Sequence, residues 1–367
     1  MIDSSPFDYY ENINILPFTS LLGWGESNSI HTGGPVWPNW DANYTVRHCR
    51  KGRPVDSKPD IAFFADSEFL TLEDVAYWCG PISSHFGHMI SEFISRAVQY
   101  NRCGGKFVFG APYDSGMDTL DKTPKFFRDI VRWLNIPEEE VLIANRPVLS
   151  KKLFCAPQAE QLNYDVEPPA YYLDILKRLQ ESQLGQVNES GDCYYVSRAA
   201  MGAKIAGEGY LEDVLGASGV KVIRPEAISL FEQLRIYSSS SKIIFSEGSA
   251  LHAMQLLGSS GAKVYILNRR PGSRIAEAAL SARCSSLKYF DIGRLIHGKF
   301  MMSGRPAPHL GITYVPSREI LSCFNNIGVE LSGWSSSDFE FYAKNDIFSW
   351  FEGESSSPRA KILDHCK

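Results

Sequence analysis

No apolar run in the chain approaches the roughly 20 residues that span a bilayer. The opening residues, MIDSSPFDYYENIN, have neither the basic start nor the apolar stretch of a secretory signal. These two lacks predict a cytoplasmic protein without an integral membrane segment, and they leave peripheral membrane association open. No two of the eight cysteines form a C-x-x-C pair; they scatter from Cys49 to Cys366. That pattern excludes a disulfide framework and zinc-finger spacing, and points to free thiols in a reducing compartment. Lys and Arg are in no excess, and the formal net charge is −5. A broad nucleic-acid surface needs a clustered basic surplus, so that class is excluded. A local basic pocket for an anionic small molecule is not. SEGSAL does not match the G-x-S-x-G nucleophile turn, which argues against an α/β-hydrolase.

What is present is an ordinary globular composition, 44% hydrophobic and 22% charged, over 367 residues, a length comfortable for two domains. Residues 1 to about 60 are rich in Pro, Gly, Asn and Trp, and read as loop and short strands. Trp37, Trp40 and Tyr44 in this stretch could stack on an acceptor or simply pack locally. Further on, SHFGHMISEFISRAVQY sets Phe86, Met89, Ile90, Phe93, Ile94 and Ala97 at helical spacing. KFVFGAP reads as a buried strand and TPKFFRDIVRWLNI as a second amphipathic helix. After a Pro-containing link, the alternation is cleaner. CYYVSR, VKVIRP, KIIFSE and AKVYIL read as strands, with GEGYLEDVLGASG, AISLFEQLRIYSSS and SALHAMQLLGSSG as helices between them. Such alternation implies a parallel sheet and half of a doubly wound fold. The expected organisation is an N-terminal α/β domain over 1–180, a C-terminal α/β domain over 190–325, and a tail over 326–367 that packs back on the domains.

Ligands of open parallel sheets bind beyond the carboxyl ends of the strands. KIIF would bring Glu247, Gly248, Ser249 and Ala250 to that edge, where a helix start offers unpaired N–H groups to a phosphate. Arg198 ends the strand CYYVSR and should reach the same edge, with Lys204 in the loop behind it; an Arg fork and a Lys suit a diphosphate. The competing reading is a plain strand-to-helix turn with Arg198 in a surface ion pair. His85 and His88 open the first strong helix, and Glu92 lies four residues after His88, on the same face. His85 suits a base at a helix start, or a capping group. No second His or carboxylate cluster has matching spacing, so no metal site is expected.

Together HFGHMISEF, YYVSR and VIRPEAISLFEQLRIYSSSSKIIFSEGSALHAMQL resemble glycosyltransferase family 61 over roughly 85–270. The matching elements are His85 to His88, Arg198, Pro225-Glu226, Glu232-Gln233 and the Gly248-Ser249 turn. The chain departs from the family pattern where Glu247 stands in place of a frequent His, and after Arg198, where Lys204 and Glu208 are partial substitutes for an Arg and an Asn-Glu pair. The resemblance implies two Rossmann-like domains facing a cleft, the GT-B arrangement, with an acceptor side and a nucleotide-sugar side. It implies inverting transfer of a sugar from a nucleotide-sugar donor to a hydroxyl of a glycan or glycoconjugate, as in polysaccharide biosynthesis. It implies no cofactor and no metal, in keeping with the lack of any Asp-x-Asp. In that frame His85 is the catalytic base with Glu247 as rival. Arg198, Lys204, Glu226, Gly248, Ser249 and Ala250 bind the donor, Glu226 at a donor hydroxyl. Two other readings stay open: a polysaccharide-modifying transferase with a non-nucleotide donor, and a non-catalytic glycan-binding protein of the same fold.

Overall fold

A computed structural model describes residues 7–21, 30–100, 103–162, 165–187, 190–300 and 306–355. The chain divides into two compact units. One holds 1–186 with 252–259 and 278–282; the other holds 187–251, 260–277 and 283–367.

The strands of the first unit are β1 (Asp8–Ser20), β2 (His31–Pro35), β3 (Cys49–Arg50), β4 (Arg53–Pro54), β5 (Asp56–Ser57), β6 (Leu70–Pro81), β7 (Lys106–Gly110), β8 (Val141–Ala144) and β9 (Val148–Cys155). β3 and β4 form a small hairpin, and the other seven form one sheet in the order β5-β2-β1-β9-β6-β7-β8. β9, β6, β7 and β8 run parallel, but β1 runs antiparallel to both β9 and β2. The sheet is therefore mixed, not the purely parallel sheet of a Rossmann-like domain. The expected loops and short strands of the first 60 residues include the 13-residue β1. Its centre, Ile15, Leu16 and Phe18, is buried; β1 lies beside β9 with Asp8 opposite Cys155 and Ile15 opposite Val148, Leu16 pairs with Gly34 of β2, and Phe18 stacks on Trp78.

The first strong helix is not one regular α-helix. α1 (Phe86–His88) runs into a π-turn over Met89–Phe93, and α2 (Ser95–Gln99) follows. All residues from Met89 to Gln99 are buried, Ser91, Glu92, Ser95, Arg96 and Gln99 included, so no polar face exists. α3 (Lys125–Trp133) is amphipathic as expected, burying Phe127, Ile130, Val131 and Trp133. α4 (Ala170–Leu184), in the expected link, is a helix of the first unit that buries Tyr172, Leu176 and Leu179.

The second unit carries β10 (Cys193–Val196), β11 (Lys221–Ile223), β12 (Lys242–Ser246), β13 (Lys263–Asn268) and β14 (Ser286–Asp291), all parallel, in the order β11-β10-β12-β13-β14. α5 (Glu208–Ala217) leads from β10 to β11, and α6 (Leu230–Ser239) leads back past β10 to β12. The winding direction reverses between β10 and β12, and a crevice opens at the carboxyl ends of strands on either side of such a reversal. A hairpin, β15 (Leu295–Phe300) and β16 (Pro306–Tyr314), then precedes α8 (Ser317–Ile327) and α9 (Ser336–Ser355); α7 (Glu277–Ser281) is one short turn. α9 is the helix expected in the tail. It buries Phe339 in the core of this unit beside Leu211 and Phe324, and Ala343 and Trp350 beside Ala206 and Ile312. The expected helix SALHAMQLLG is instead a 3₁₀ helix over Ser249–Leu256. The seven described cysteines are unpaired. No described helix is long and apolar enough to cross a membrane.

Candidate functional site

In the second unit the reversal point carries the residues expected there. Val196 of β10 pairs with Phe245 of β12, so Arg198 and the Glu247–Ala250 turn leave the sheet side by side. They touch. A Cβ on Gly248 would lie 2.0 Å from Nη1 of Arg198, so the guanidinium lies against this backbone only because the residue is glycine. Nε of Arg198 donates to the Ala203 carbonyl at 3.0 Å, which fixes its direction. Burial lowers the pKa of Arg198, and the positive charge of Arg270 adds to that against the carboxylates of Glu208 and Glu247.

The loop after β10 is held by Glu208, which is fully buried. Its Oε1 accepts from the Tyr195 hydroxyl at 2.8 Å and the Arg198 amide at 2.9 Å, and its Oε2 accepts from the Ile205 amide at 3.2 Å. Lys204, expected at the phosphates, is paired with an acid of the same unit. Its ammonium bonds Asp346 of α9 at 2.8 Å and the Ala199 carbonyl at 3.2 Å. Asp346 also accepts from the Gly207 amide at 2.8 Å. A hollow of about 320 Å³ opens here, bordered by Lys204, Tyr210, Arg224, Tyr342 and Asp346. Glu226 sits exposed in a 3₁₀ turn over Pro225–Ala227.

Glu247 is fully buried with both oxygens engaged. Oε1 accepts from Nε of Arg270 at 2.7 Å, and Oε2 accepts from the Arg270 amide at 2.9 Å. Arg269 is buried too, donating to the carbonyls of Glu247 at 3.1 Å and Gly311 at 3.0 Å. Burial, with Arg198 next, lowers its pKa to about 10. Three guanidiniums thus gather at the reversal point around two carboxylates, and a desolvated surplus of cations favours an anion. Arg269 and Arg270 were not among the expected site residues. The sequence does carry the signal: AKVYILNRRPG ends a strand with two arginines, as CYYVSR ends one with Arg198.

In the first unit, His88 and Glu92 meet as the spacing predicts, with Nδ1 of His88 at 2.7 Å from Oε1. Arg50 grips the same carboxylate with Nε at 2.5 Å and Nη2 at 3.0 Å, and Nε2 of His48 lies 3.2 Å from Oε2. Burial alone would raise the pKa of Glu92. The hydrogen bonds from His48, His88 and Arg50 outweigh it and hold the carboxyl well below its usual range. His31, His48 and Glu92 converge closely enough to ligate a metal ion. However, the Arg50 guanidinium bonds both Glu92 and Nε2 of His31, the latter at 2.9 Å, and so supplies the cation of this cluster itself. His85 is exposed and caps α1, its Nδ1 accepting from the His88 amide at 3.4 Å.

An arginine cluster at the reversal point of a parallel sheet has the charge to hold an anion. The model of the glycosyltransferase 61 family matches residues 86–264, a span that includes Arg198, Lys204, Glu226 and the Glu247–Ala250 turn. This stretch has the pattern of glycosyltransferase family 61, and the match supports a transferase of the glycosyltransferase class. Comparison with curated proteins finds no match.

Proposed function

We propose that the protein transfers a sugar, with inversion, from a nucleotide-sugar donor to a hydroxyl of a glycan or glycoconjugate, without a metal. In this reading the two units adopt the GT-B arrangement implied by the family. The observation that carries the proposal is Arg198 lying on the backbone of Gly248 at the sheet reversal, in a cluster with Arg269 and Arg270. Displacement at the anomeric carbon adds one negative charge to the departing diphosphate. Preset cations in a desolvated site stabilise that developing charge without reorganisation. Arg198 and the N–H groups of Ser249 and Ala250 are assigned to the phosphates. Glu247, bound through both oxygens to Arg270, holds the arginines in place. Glu226 is assigned to a donor hydroxyl, and Lys204 to closing the loop onto α9. His85, whose Nδ1 accepts from the His88 amide, is assigned as the base that takes the acceptor proton, with Glu247 as its rival.

The test is a panel of nucleoside diphosphates in thermal shift, followed by calorimetry. Binding of one of them should raise the melting temperature of the wild type by mass action. The same nucleotide should bind Arg198→Ala much more weakly. Equal affinity for the two proteins would remove the phosphate site from this position.

A further inference from the structure

We infer that the hollow bordered by α5, α9 and the end of β11 binds an uncharged sugar ring; the inference does not rest on the transferase reading above. The hollow lies wholly within the second unit and encloses about 320 Å³. Two helix faces build it. On α5, Gly209, Glu212 and Asp213 lie three and four residues apart and share one face. On α9, Tyr342 and Asp346 are four apart and share a face in the same way. Arg224 borders it just after β11. Space is kept by a missing side chain, since a Cβ on Gly209 would meet nothing within 4 Å.

The charges narrow the ligand class. The lining holds two cations, Lys204 and Arg224, and three carboxylates, Glu212, Asp213 and Asp346. Lys204 is tied to Asp346 at 2.8 Å. Arg224 lays Nε on Oε1 of Glu212 at 3.0 Å and Nη2 on Oε2. The negative charge of Asp213 is left over, and this surplus repels phosphates, in contrast to the cluster around Arg198. A lining of five charged side chains gives a hydrophobic ligand no wall. An ammonium ligand calls for aromatic faces set around it. Tyr210 and Tyr342 instead stack on each other, with ring centres 5.5 Å apart and planes 22° apart.

A neutral polyhydroxylated ring suits what remains. Its C–H face packs on an aromatic ring, and its vicinal hydroxyls donate to carboxylates and accept from guanidinium N–H groups. Those groups are preset here. The fork with Glu212 fixes the plane of Arg224, and the Nη1 N–H groups of Arg224 bond nothing among the described residues. Asp213 and the Tyr342 hydroxyl are equally unengaged among the described residues. Tyr210, behind Tyr342 in the stack, is fixed by its hydroxyl, which accepts from the Ser335 amide at 2.8 Å. A ring of this chemistry has two sources, a residue of a glycan chain or the ribose of a nucleoside.

Saturation-transfer NMR on the full chain tests this. The probes are neutral mono- and oligosaccharides of hexose, pentose and N-acetylhexosamine, and the unphosphorylated nucleosides adenosine, guanosine, cytidine and uridine. At least one should bind the wild type. Gly209→Met fills the hollow without changing a charge, and methionine is a better helix former than glycine. Its melting temperature should hold or rise while binding weakens at least about tenfold. Tyr342→Ala should weaken binding on the same scale, about tenfold, through the lost ring face. Arg198→Ala should leave it unchanged. An oligosaccharide that behaves in this way identifies the ligand as a glycan residue, and a nucleoside that does so identifies it as ribose. A panel in which nothing binds, or a ligand held by either hollow variant as tightly as by the wild type, overturns the assignment. Loss of nucleoside diphosphate binding in Arg198→Ala bears on the arginine cluster alone, so the two readings fail separately.

Discussion

Arg198 and Glu92 show two opposite uses of a buried charge. Arg198 has no carboxylate bonded to its guanidinium among the described residues; it leans on glycine backbone and one carbonyl, which leaves its charge available. Replacing it with alanine should weaken nucleoside diphosphate binding by on the order of 2 kcal/mol, roughly 30-fold, with little change in melting temperature. Gly248→Ala should do nearly the same, because the new methyl displaces the guanidinium tip. If calorimetry finds Gly248→Ala unimpaired, the close approach is not what builds the site. Glu92, by contrast, is satisfied by Arg50, His48 and His88 within the fold. Glu92→Gln leaves Arg50 buried without its counter-charge, and urea unfolding at pH 7 should show a loss of roughly 3 kcal/mol. Because the folded pKa of Glu92 is depressed, its contribution is full above the ordinary glutamate value and fades as pH falls through the folded value. A variant as stable as wild type at pH 7 would make this pair energetically idle.

Two elements depart from the α-helix that their apolar spacing predicts, and both lie where chemistry is proposed. The π-turn at Met89–Phe93 is buried on every side. Its Phe93 carbonyl comes so close to β6 that a Cβ on Gly80 would lie 2.7 Å from the oxygen, with Gly80 at φ +99°. Gly80→Ala should therefore cost about 2 kcal/mol or more, through left-handed strain and a backbone clash that no rotamer relieves. A midpoint of denaturation equal to that of wild type would mean that the π-turn relaxes freely. The 3₁₀ helix at Ser249–Leu256 is the other departure. Its threefold repeat aligns Ser249, His252 and Gln255 where an α-helical repeat would not.

At the scale of the whole molecule, buried histidines set how the fold responds to acid. Burial lowers His31 to about 3 and His252 to about 4, so the unfolded chain binds protons at these sites more tightly than the folded one. Stability must then fall as pH drops below about 6.5, the unfolded value, and continue to fall toward the folded values. Each of the two should cost roughly 2 kcal/mol between pH 6.5 and 5. Chemical denaturation at pH 7.5 and pH 5 checks this, and equal midpoints would refute it. A second expectation concerns turnover. The chain has no Asp-x-Asp and gathers three arginines at the reversal point, so transfer should proceed unchanged with a strong chelator present. Activity that vanishes with chelator and returns with Mg²⁺ or Mn²⁺ would show that the arginines do not suffice.

The sequence alone determined what depends on near neighbours. The strand-helix alternation after Cys193, Arg198 at a strand end, the glycine turn at Gly248 and the meeting of His88 with Glu92 follow from local spacing. Only the tertiary structure decided which distant groups complete each charge. Arg50 reaches Glu92, Asp346 takes Lys204, Arg270 takes Glu247, and Glu160 bonds Gln255, which bonds His252. It also decided that β1 joins β9, which makes the first sheet mixed. The helix type at Met89–Phe93 and Ser249–Leu256 was decided in the same way. Apolar residues spaced three and four apart fit α, 3₁₀ and π turns alike, and packing on all sides selects among them. The physical reason is common to these cases. A charge or a strand edge taken out of water must find its partner, and the partner is chosen by proximity in space, which short-range spacing does not encode.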